Sequence, residues 1–243
     1  MASKKSISLV VPVYNEKEII EETVRVFLDG LSELTANFEL IIIDDASCDG
    51  TAEIAESIAA KDSRVRLLRN RANIGSGGSL WLGFKMASKE LIVSNFADRP
   101  FNLSELGQAL PLLEQEGTDF IIAVRKDRSA NSLSRKLTSY VNFLIIRLLF
   151  NPKVDDFQFA QIYKREILNG IELISSGTFV PPELIIRLVD RGYRFKQFSC
   201  QFHKRTKGRS KCGKLSEYVK TAKEIVKFWN YRNSQKNRFS YAR

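Results

Sequence analysis

The chain opens on a run of apolar, β-branched residues with little polar interruption. Ser6 to Val13 (SISLVVPV) reads as a buried strand. From Glu16 to Leu34 the apolar positions Ile19, Ile20, Val24, Phe27, Leu28 and Leu31 recur at helical spacing and predict an amphipathic helix. Phe38 to Ile43 (FELIII) is a second buried strand, closed by Asp44-Asp45. Asp49-Gly50-Thr51 forms a turn and cap for a helix over Ala52 to Ala60. Val65 to Leu68 is a third strand. The Gly-rich segment Asn73 to Gly83 (NIGSGGSLWLG) opens a helix to Ala87, and Leu91 to Ser94 is a fourth strand. A helix over Asn102 to Glu116 and a strand over Phe120 to Val124 come next. Arg135 to Phe150 reads as an amphipathic helix, Gln161 to Leu168 and Arg194 to Phe202 as strands, and Pro182 to Arg191 as the helix between them. Lys214 to Trp229 is a basic helix, and the polar residues from Tyr231 predict a disordered end.

Strand and helix alternate, and parallel strands need such crossovers. The pattern therefore predicts an α/β fold with a Rossmann-like, mainly parallel central sheet flanked by helices, and a basic C-terminal helical extension. Two parts are expected: a main domain over 1–213, and a basic helix and tail over 214–243.

Composition narrows the function classes. Of 243 residues, 44% are hydrophobic and 27% charged, the balance of a folded globular chain. No run of 18 apolar residues occurs, and the most apolar stretch, Tyr140 to Phe150, contains Arg147, so no membrane-spanning helix is expected. The first residues carry no apolar leader. Three cysteines, Cys48, Cys200 and Cys212, lie far apart, which fits a reducing cytoplasm better than a disulfide framework. With no CxxC and one histidine, His203, the chain offers neither a zinc site nor a choice of triad histidines.

Charge is unevenly placed. Residues 1–123 hold 12 basic and 19 acidic side chains, whereas 124–243 hold 26 basic and 9 acidic. The basic half implies an anionic partner. Its densest run, Phe202 to Lys211, suits a phosphate clamp, and charge alone leaves open a diphosphate, a lipid head group or nucleic acid. No RNP, KH or helix-turn-helix pattern accompanies the charge, so nucleic acid is not an expected partner.

Open parallel sheets bind ligands beyond the carboxyl ends of their strands. Tyr14-Asn15-Glu16, Asp44-Asp45 with Asp49, Asn73 to Gly78, Asp98 and Arg125 all fall at such ends. The Gly-rich segment is neither a dinucleotide fingerprint nor a P-loop, and its glycines are read as sites of close helix–sheet packing.

PVYNE (Pro12 to Glu16), IIIDDASCDGT (Ile41 to Thr51), NIGSGGSLWLG and the segment from Phe179 to Gly213 with its R-x-x-G-x-S-K end resemble the inverting family 2 glycosyltransferases with the GT-A fold. Within these the chain is most similar to dolichyl-phosphate mannosyltransferases and polyprenyl-phosphate glycosyltransferases. The resemblance implies a nucleotide-diphosphate sugar donor, GDP- or UDP-linked, and a polyprenyl or dolichyl phosphate acceptor. It implies Mg²⁺ or Mn²⁺ as cofactor and a cytoplasmic location, peripheral on an anionic membrane surface or beside a membrane-protein partner. By the same resemblance Pro12, Tyr14 and Glu16, then Ile43 and Asp45, match nucleotide contacts. Ala97 and Asp98 match the end of the DAD metal motif, with Asp98 the metal ligand. Arg125 matches a donor contact, and Arg205 and Lys211 match the diphosphate grip. Arg135 and Asn142 match the acceptor helix, and Glu183 matches a glutamate before the last helix of the family. Asp98, Asp155, Arg205 and Lys211 form the implied catalytic set, with Asp155 or Asp156 as base if the acceptor were a sugar hydroxyl.

Two departures stand out. The metal motif reads Phe96-Ala97-Asp98, with Phe in place of the first carboxylate, and Pro100 two positions further on. The D-x-x-x-G-F-R segment reads Asp155 to Gln161 and keeps only its Asp. These changes carry the alternative that the chain is a catalytically impaired GT-A domain, binding nucleotide sugar or acting as a scaffold.

Overall fold

A computed structural model describes residues 5–126, 133–157, 159–203 and 215–240. Within them seven strands form one sheet, β1 (Ile7–Val13), β2 (Phe38–Asp44), β3 (Val65–Arg69), β4 (Leu91–Ser94), β5 (Phe120–Arg125), β6 (Gln161–Lys164) and β7 (Phe195–Cys200), in the order β3-β2-β1-β4-β6-β5-β7. Every pairing is parallel except those of β6, which runs antiparallel to both β4 and β5. The mainly parallel sheet is thus as expected. The direction of β6 lies outside any periodicity argument, and its strand stops at Lys164, with Arg165–Leu168 turning into a 3-10 helix.

The sheet separates two cores. Ile7, Leu9, Val11 and Val13 of β1 and Leu40 and Ile42 of β2 face α1 (Ile20–Leu34), α2 (Thr51–Ala59) and α4 (Leu106–Glu114). Val10, Ile41 and Ile43 face the other way, toward α3 (Ser76–Met86), α5 (Leu133–Phe150), α6 (Val180–Asp190) and α7 (Leu215–Ser240). Covering both faces is what lets β1 and β2 be apolar at nearly every position. The one charged position in them that faces a helix junction, Glu39, is matched in full. It accepts from Ser8 Oγ at 2.6 Å, Ser88 N–H at 2.7 Å, Ser88 Oγ at 2.8 Å and Arg66 Nη1 at 2.7 Å.

The glycines of the third βα segment are packing residues, as the sequence suggests. A Cβ on Gly83 would lie 2.2 Å from Val10 Cγ1, and one on Gly77 would lie 1.8 Å from the Gly177 carbonyl oxygen. Only hydrogen fits there, so α3 sits directly on β1 and on the 175–178 loop.

Two element ends differ from the pattern. The first helix starts at Ile20 rather than Glu16, because the Glu16 carbonyl accepts both the Ile19 and Ile20 amides and residues 14–17 are drawn into the neighbouring loop. The last helix continues past Tyr231 to Ser240, into the stretch expected to be disordered. Its continuation is held by tertiary contacts: Arg232 makes a bidentate ion pair with Asp190 at 2.6 Å, and the Arg187 guanidinium lies 4.9 Å from the Tyr231 ring centroid. Ile225 and Phe228 are buried in the second core, where Phe228 packs with Phe150 and Phe179. The helix thus packs on the second core through Ile225 and Phe228.

Candidate active site

At the carboxyl edge of the sheet the loops after β1 and β2 are stitched together. Asn15, in a left-handed conformation at φ 52°, donates its N–H to Ser47 Oγ at 2.8 Å, and its Oδ1 accepts the Cys48 N–H at 2.8 Å. The Glu16 N–H donates to Thr51 Oγ1 at 2.8 Å, and Asp49 accepts both the Thr51 hydroxyl and the Lys17 N–H. Burial raises the Asp49 pKa, but the Thr51 hydroxyl and the amides of Lys17 and Thr51 outweigh it and hold the carboxyl below its ordinary range. The outcome is a ledge of fixed backbone with Tyr14 exposed and Glu16 half-buried on it.

Asp45 closes the next gap. Its carboxylate accepts the Ile74 and Gly75 amides at 2.9 Å each and Asn70 Nδ2 at 2.9 Å. It anchors the Gly-rich loop, and both oxygens already have donors. The Ile43 and Ala97 side chains are buried in the two cores, and Pro12 is a buried residue within β1.

The β4 loop is pinned from below and from the side. Thr23 Oγ1 of α1 donates to the Ala97 carbonyl at 2.7 Å, and Asn95 Nδ2 donates to the Phe101 carbonyl at 2.8 Å. Asp98 is half-buried on this loop. Arg99, at φ 52°, turns to Glu22, with Nη2 to Oε1 at 2.9 Å. The basic segment starts beside this loop. The His203 N–H donates to the Pro100 carbonyl at 3.0 Å, and the Gln201 N–H donates to the Glu105 carboxylate. Arg205 and Lys211, a few residues further along, lie outside the described residues.

Arg125 ends β5. Its guanidinium makes a bidentate pair with Asp156, at 2.6 and 3.0 Å, and lies 5.7 and 5.9 Å from the Phe159 and Phe202 ring centroids. Asp156, the other base the sequence offers for a hydroxyl acceptor, is 2% exposed and paired with Arg125. Asp155 is exposed, with Oδ2 accepting from Gln197 Nε2 at 2.9 Å and its own N–H donating to Gln197 Oε1 at 2.7 Å. Gln161, at the last position of the altered D-x-x-x-G-F-R segment, is buried against Ser94 and presents no charge. Glu183 is a structural residue. Its carboxylate is fully buried, caps the Ile174 and Ser175 amides at 2.9 Å each and pairs with Arg187 Nε at 2.8 Å. Asn142 is half-buried on α5, and Arg135 lies in the first turn of that helix.

The donor set for a metal is small. Among the described residues no group of three or more His, Cys, Asp or Glu side chains converges, and Phe96 brings no ligand to the loop. Mg²⁺ often keeps several waters and takes one or two carboxylates plus substrate phosphates, so the Asp98 carboxylate fits the role of a single protein anchor.

Glu22, Glu105 and Asp156 were not legible as partners. Glu22 and Glu105 are ordinary surface-type acids in the sequence, Asp156 is read there only as a candidate base, and the fold brings the three to Arg99, the Gln201 amide and Arg125. Asn15 had a signal, since it lies inside PVYNE.

The family model for glycosyl transferase family 2 matches residues 8–171. The chain belongs to that family. Among curated proteins it is 27% identical over 236 residues to glycosyltransferase AglD of Haloferax volcanii, covering 94% of this chain and 38% of that one. It is 29% identical over 180 residues to an undecaprenyl-phosphate 4-deoxy-4-formamido-L-arabinose transferase of Salmonella choleraesuis, covering 73% of this chain and 54% of that one. The chain thus spans about half the length, or less, of these relatives. Among solved structures, mannosyl-3-phosphoglycerate synthase from Rubrobacter xylanophilus superimposes with a TM-score of 0.68 at 20% identity, over 96% of this chain and 75% of that one. Glucosyl-3-phosphoglycerate synthase from Mycobacterium tuberculosis, solved with Mn²⁺ and uridine diphosphate, gives 0.62 at 23% identity, over 92% and 80%. These two place the fold as GT-A.

Proposed function

We propose that the chain transfers a glycosyl group from a GDP- or UDP-linked sugar to a polyprenyl phosphate, with inversion at the anomeric carbon. The observation that carries this reading is the His203–Pro100 bond, which roots the basic segment beside the Asp98 loop, with Phe202 against Arg125. Arg125, held by Asp156 and lying over the Phe202 ring, is the described cation here, and the sequence runs on from His203 into the basic residues assigned to the donor diphosphate.

In the proposed reaction an acceptor phosphate oxygen attacks the anomeric carbon in line. The bond from that carbon to the diphosphate oxygen breaks, and the nucleoside diphosphate leaves with the electron pair. A phosphate nucleophile is already ionised at neutral pH, so no strong base is needed and a single histidine is no handicap. What remains is to stabilise negative charge on the leaving diphosphate. Arg125, Arg205 and Lys211 are assigned to this, with Asp156 and two aromatic rings fixing the plane of Arg125. Asp98 is the residue that would hold Mg²⁺ or Mn²⁺ arriving with the donor, and the ion would offset part of the same charge. Tyr14 and Glu16 are assigned to the nucleoside, Arg135 and Asn142 to the acceptor phosphate, and Asp155 stays with the catalytic set. The Asp45 assignment becomes indirect: it shapes the loop that meets the nucleoside.

The polyprenyl assignment draws support from the name of the Salmonella relative and from the basic second half. A lipid acceptor implies a position peripheral to an anionic membrane surface. A second reading, binding without transfer, is favoured by Phe96 and by the neutral, buried Gln161.

The test is a thermal-shift panel of nucleotide sugars, then transfer to a short-chain polyprenyl phosphate with and without EDTA. A donor that raises the melting temperature and is turned over supports the first reading. A donor that binds with no turnover selects the second, and no shift with any nucleotide sugar overturns both.

A further inference from the structure

The last three turns of α5 are apolar almost all round. Phe143 is half-buried against Phe157, while Ile146 and Phe150 point into the second core. Outward stand Tyr140 (58% exposed), Val141, Leu144, Ile145, Leu148 (74% exposed) and Leu149. They recur as adjacent pairs at four-residue intervals, which is one continuous stripe on a helix surface. Arg147 is the only charged residue from 140 to 150, and it lies over the Phe143 ring. A stripe of this kind on a globular domain marks an interaction surface.

Charge says what covers it. Residues 128–154 contain five basic side chains and no acidic one. Residues 204–223, a stretch that includes the start of α7, contain eight basic side chains against the single Glu217. On α7, which packs on α5 through Phe228 and Phe150, Lys220, Lys223 and Lys227 are exposed. Apolar side chains on a helix within a cationic chain segment match the boundary layer of an anionic bilayer, where acyl chains take the former and head groups the latter. A protein partner of ordinary surface composition would leave the positive excess unmatched. No helix among the described residues is long and apolar enough to cross a membrane, so the contact is one of lying on the surface.

We propose that the outward face of α5 is a docking surface for an anionic lipid bilayer. This deepens the lipid-acceptor reading, on which it rests for its purpose: Asn142 lies in the same stretch of helix, so docking would set the assigned acceptor residues at the head-group level.

The test is co-flotation of the full chain with vesicles of phosphatidylcholine alone, or of phosphatidylcholine and phosphatidylglycerol at about three to one. Leu144→Glu/Leu148→Glu is the variant, since both residues are exposed and lie outside the site. The wild type is expected to float with the anionic vesicles, less so at high salt. The variant is expected to lose at least about tenfold in partitioning while keeping its melting temperature and donor binding. A wild type that stays in solution with both vesicles overturns the proposal, as does a variant that floats equally well. A wild-type dimer that the variant converts to monomer, seen by light scattering, also overturns it by assigning the face to a second copy. Transfer to a short-chain, water-soluble polyprenyl phosphate separates the two ideas. If docking fails and this transfer persists, only the surface is wrong. If flotation holds and transfer fails, the acceptor reading is wrong.

Discussion

At the residue scale, Phe96 and Glu39 make opposite points about carboxylates. Phe96 removes one where metal chemistry would use it. Restoring it in Phe96→Asp is expected to give the donor diphosphate a second protein carboxylate for its ion, strengthening the Mn²⁺-dependent part of nucleotide diphosphate binding by about tenfold. Calorimetric titration with Mn²⁺ and with EDTA measures it, and an unchanged metal dependence would count against Asp98 as the anchor. Glu39 is a carboxylate that the fold cannot spare. Burial raises its pKa, but the Ser8 hydroxyl, the Ser88 amide, Arg66 and the Ser88 hydroxyl together outweigh this and set it below the ordinary 4.5. A lowered folded pKa means the stabilisation is present in full above the unfolded value and drains away as pH falls through the folded one. Glu39→Gln is therefore expected to cost about 2 kcal/mol at neutral pH. The gap between variant and wild type should narrow below pH 4.5 in urea unfolding. A pH-independent gap would show that the charge is not what matters there.

At the scale of elements, the approach of α3 to β1 depends on a missing atom. Gly83→Ala would force its Cβ against Val10 and lift the helix, at an expected cost of about 2 to 3 kcal/mol, read by denaturant titration. The start of α3 also hangs on α7 through a short relay. The Ser176 carbonyl accepts the Gly78 N–H at 2.7 Å, and Glu224 of α7 accepts the Ser176 and Gly177 amides at 3.0 and 2.8 Å. Thr178 and Thr221 add a hydroxyl bond of 2.7 Å. Because Asp45 ties the same Gly-rich loop to β2, the relay ends at the candidate donor ledge. Glu224→Ala leaves two amides without their acceptor. It is expected to lower stability by about 1 to 3 kcal/mol and to weaken donor binding, although among the described residues Glu224 bonds to Ser176 and Gly177 rather than to the ledge itself. Nucleotide-sugar affinity by calorimetry is the readout, and full affinity in a destabilised Glu224→Ala would break the relay idea.

At the scale of the whole molecule, burial made part of the fold legible. A strand buried on both faces must be apolar throughout, so β1, β2 and β5 announce themselves, and strand ends in a parallel sheet collect the polar groups of the site. The illegible part depends on partners distant in sequence. Nothing in QIYK says that β6 runs backwards between β4 and β5. Nothing in Asp45, Asp156 or Glu183 says that its oxygens are already taken. The polar end of α7 looks unstructured until Asp190 and Arg187 are placed beside it. The expected boundary at residue 213 is open to a direct test. Sequence composition separates a domain from a basic helix there, whereas the fold buries Ile225 and Phe228 against Phe150 and Phe179 and rests the Arg187 guanidinium 5.0 Å from the Phe228 ring centroid. Removing 214–243 would uncover that cluster, along with the Ser176–Gly177 amides. Losing the burial of Ile225 and Phe228 alone costs about 3 to 6 kcal/mol, which in a chain of this size corresponds to a fall in melting temperature of roughly 6 °C or more. A chain ending at residue 213 is accordingly expected to melt far below the full protein or to aggregate, measured by circular dichroism and sedimentation. If it instead kept the full melting temperature and bound nucleotide sugar normally, α7 would be an extension after all, and the relay from α7 to the donor ledge would fall with it.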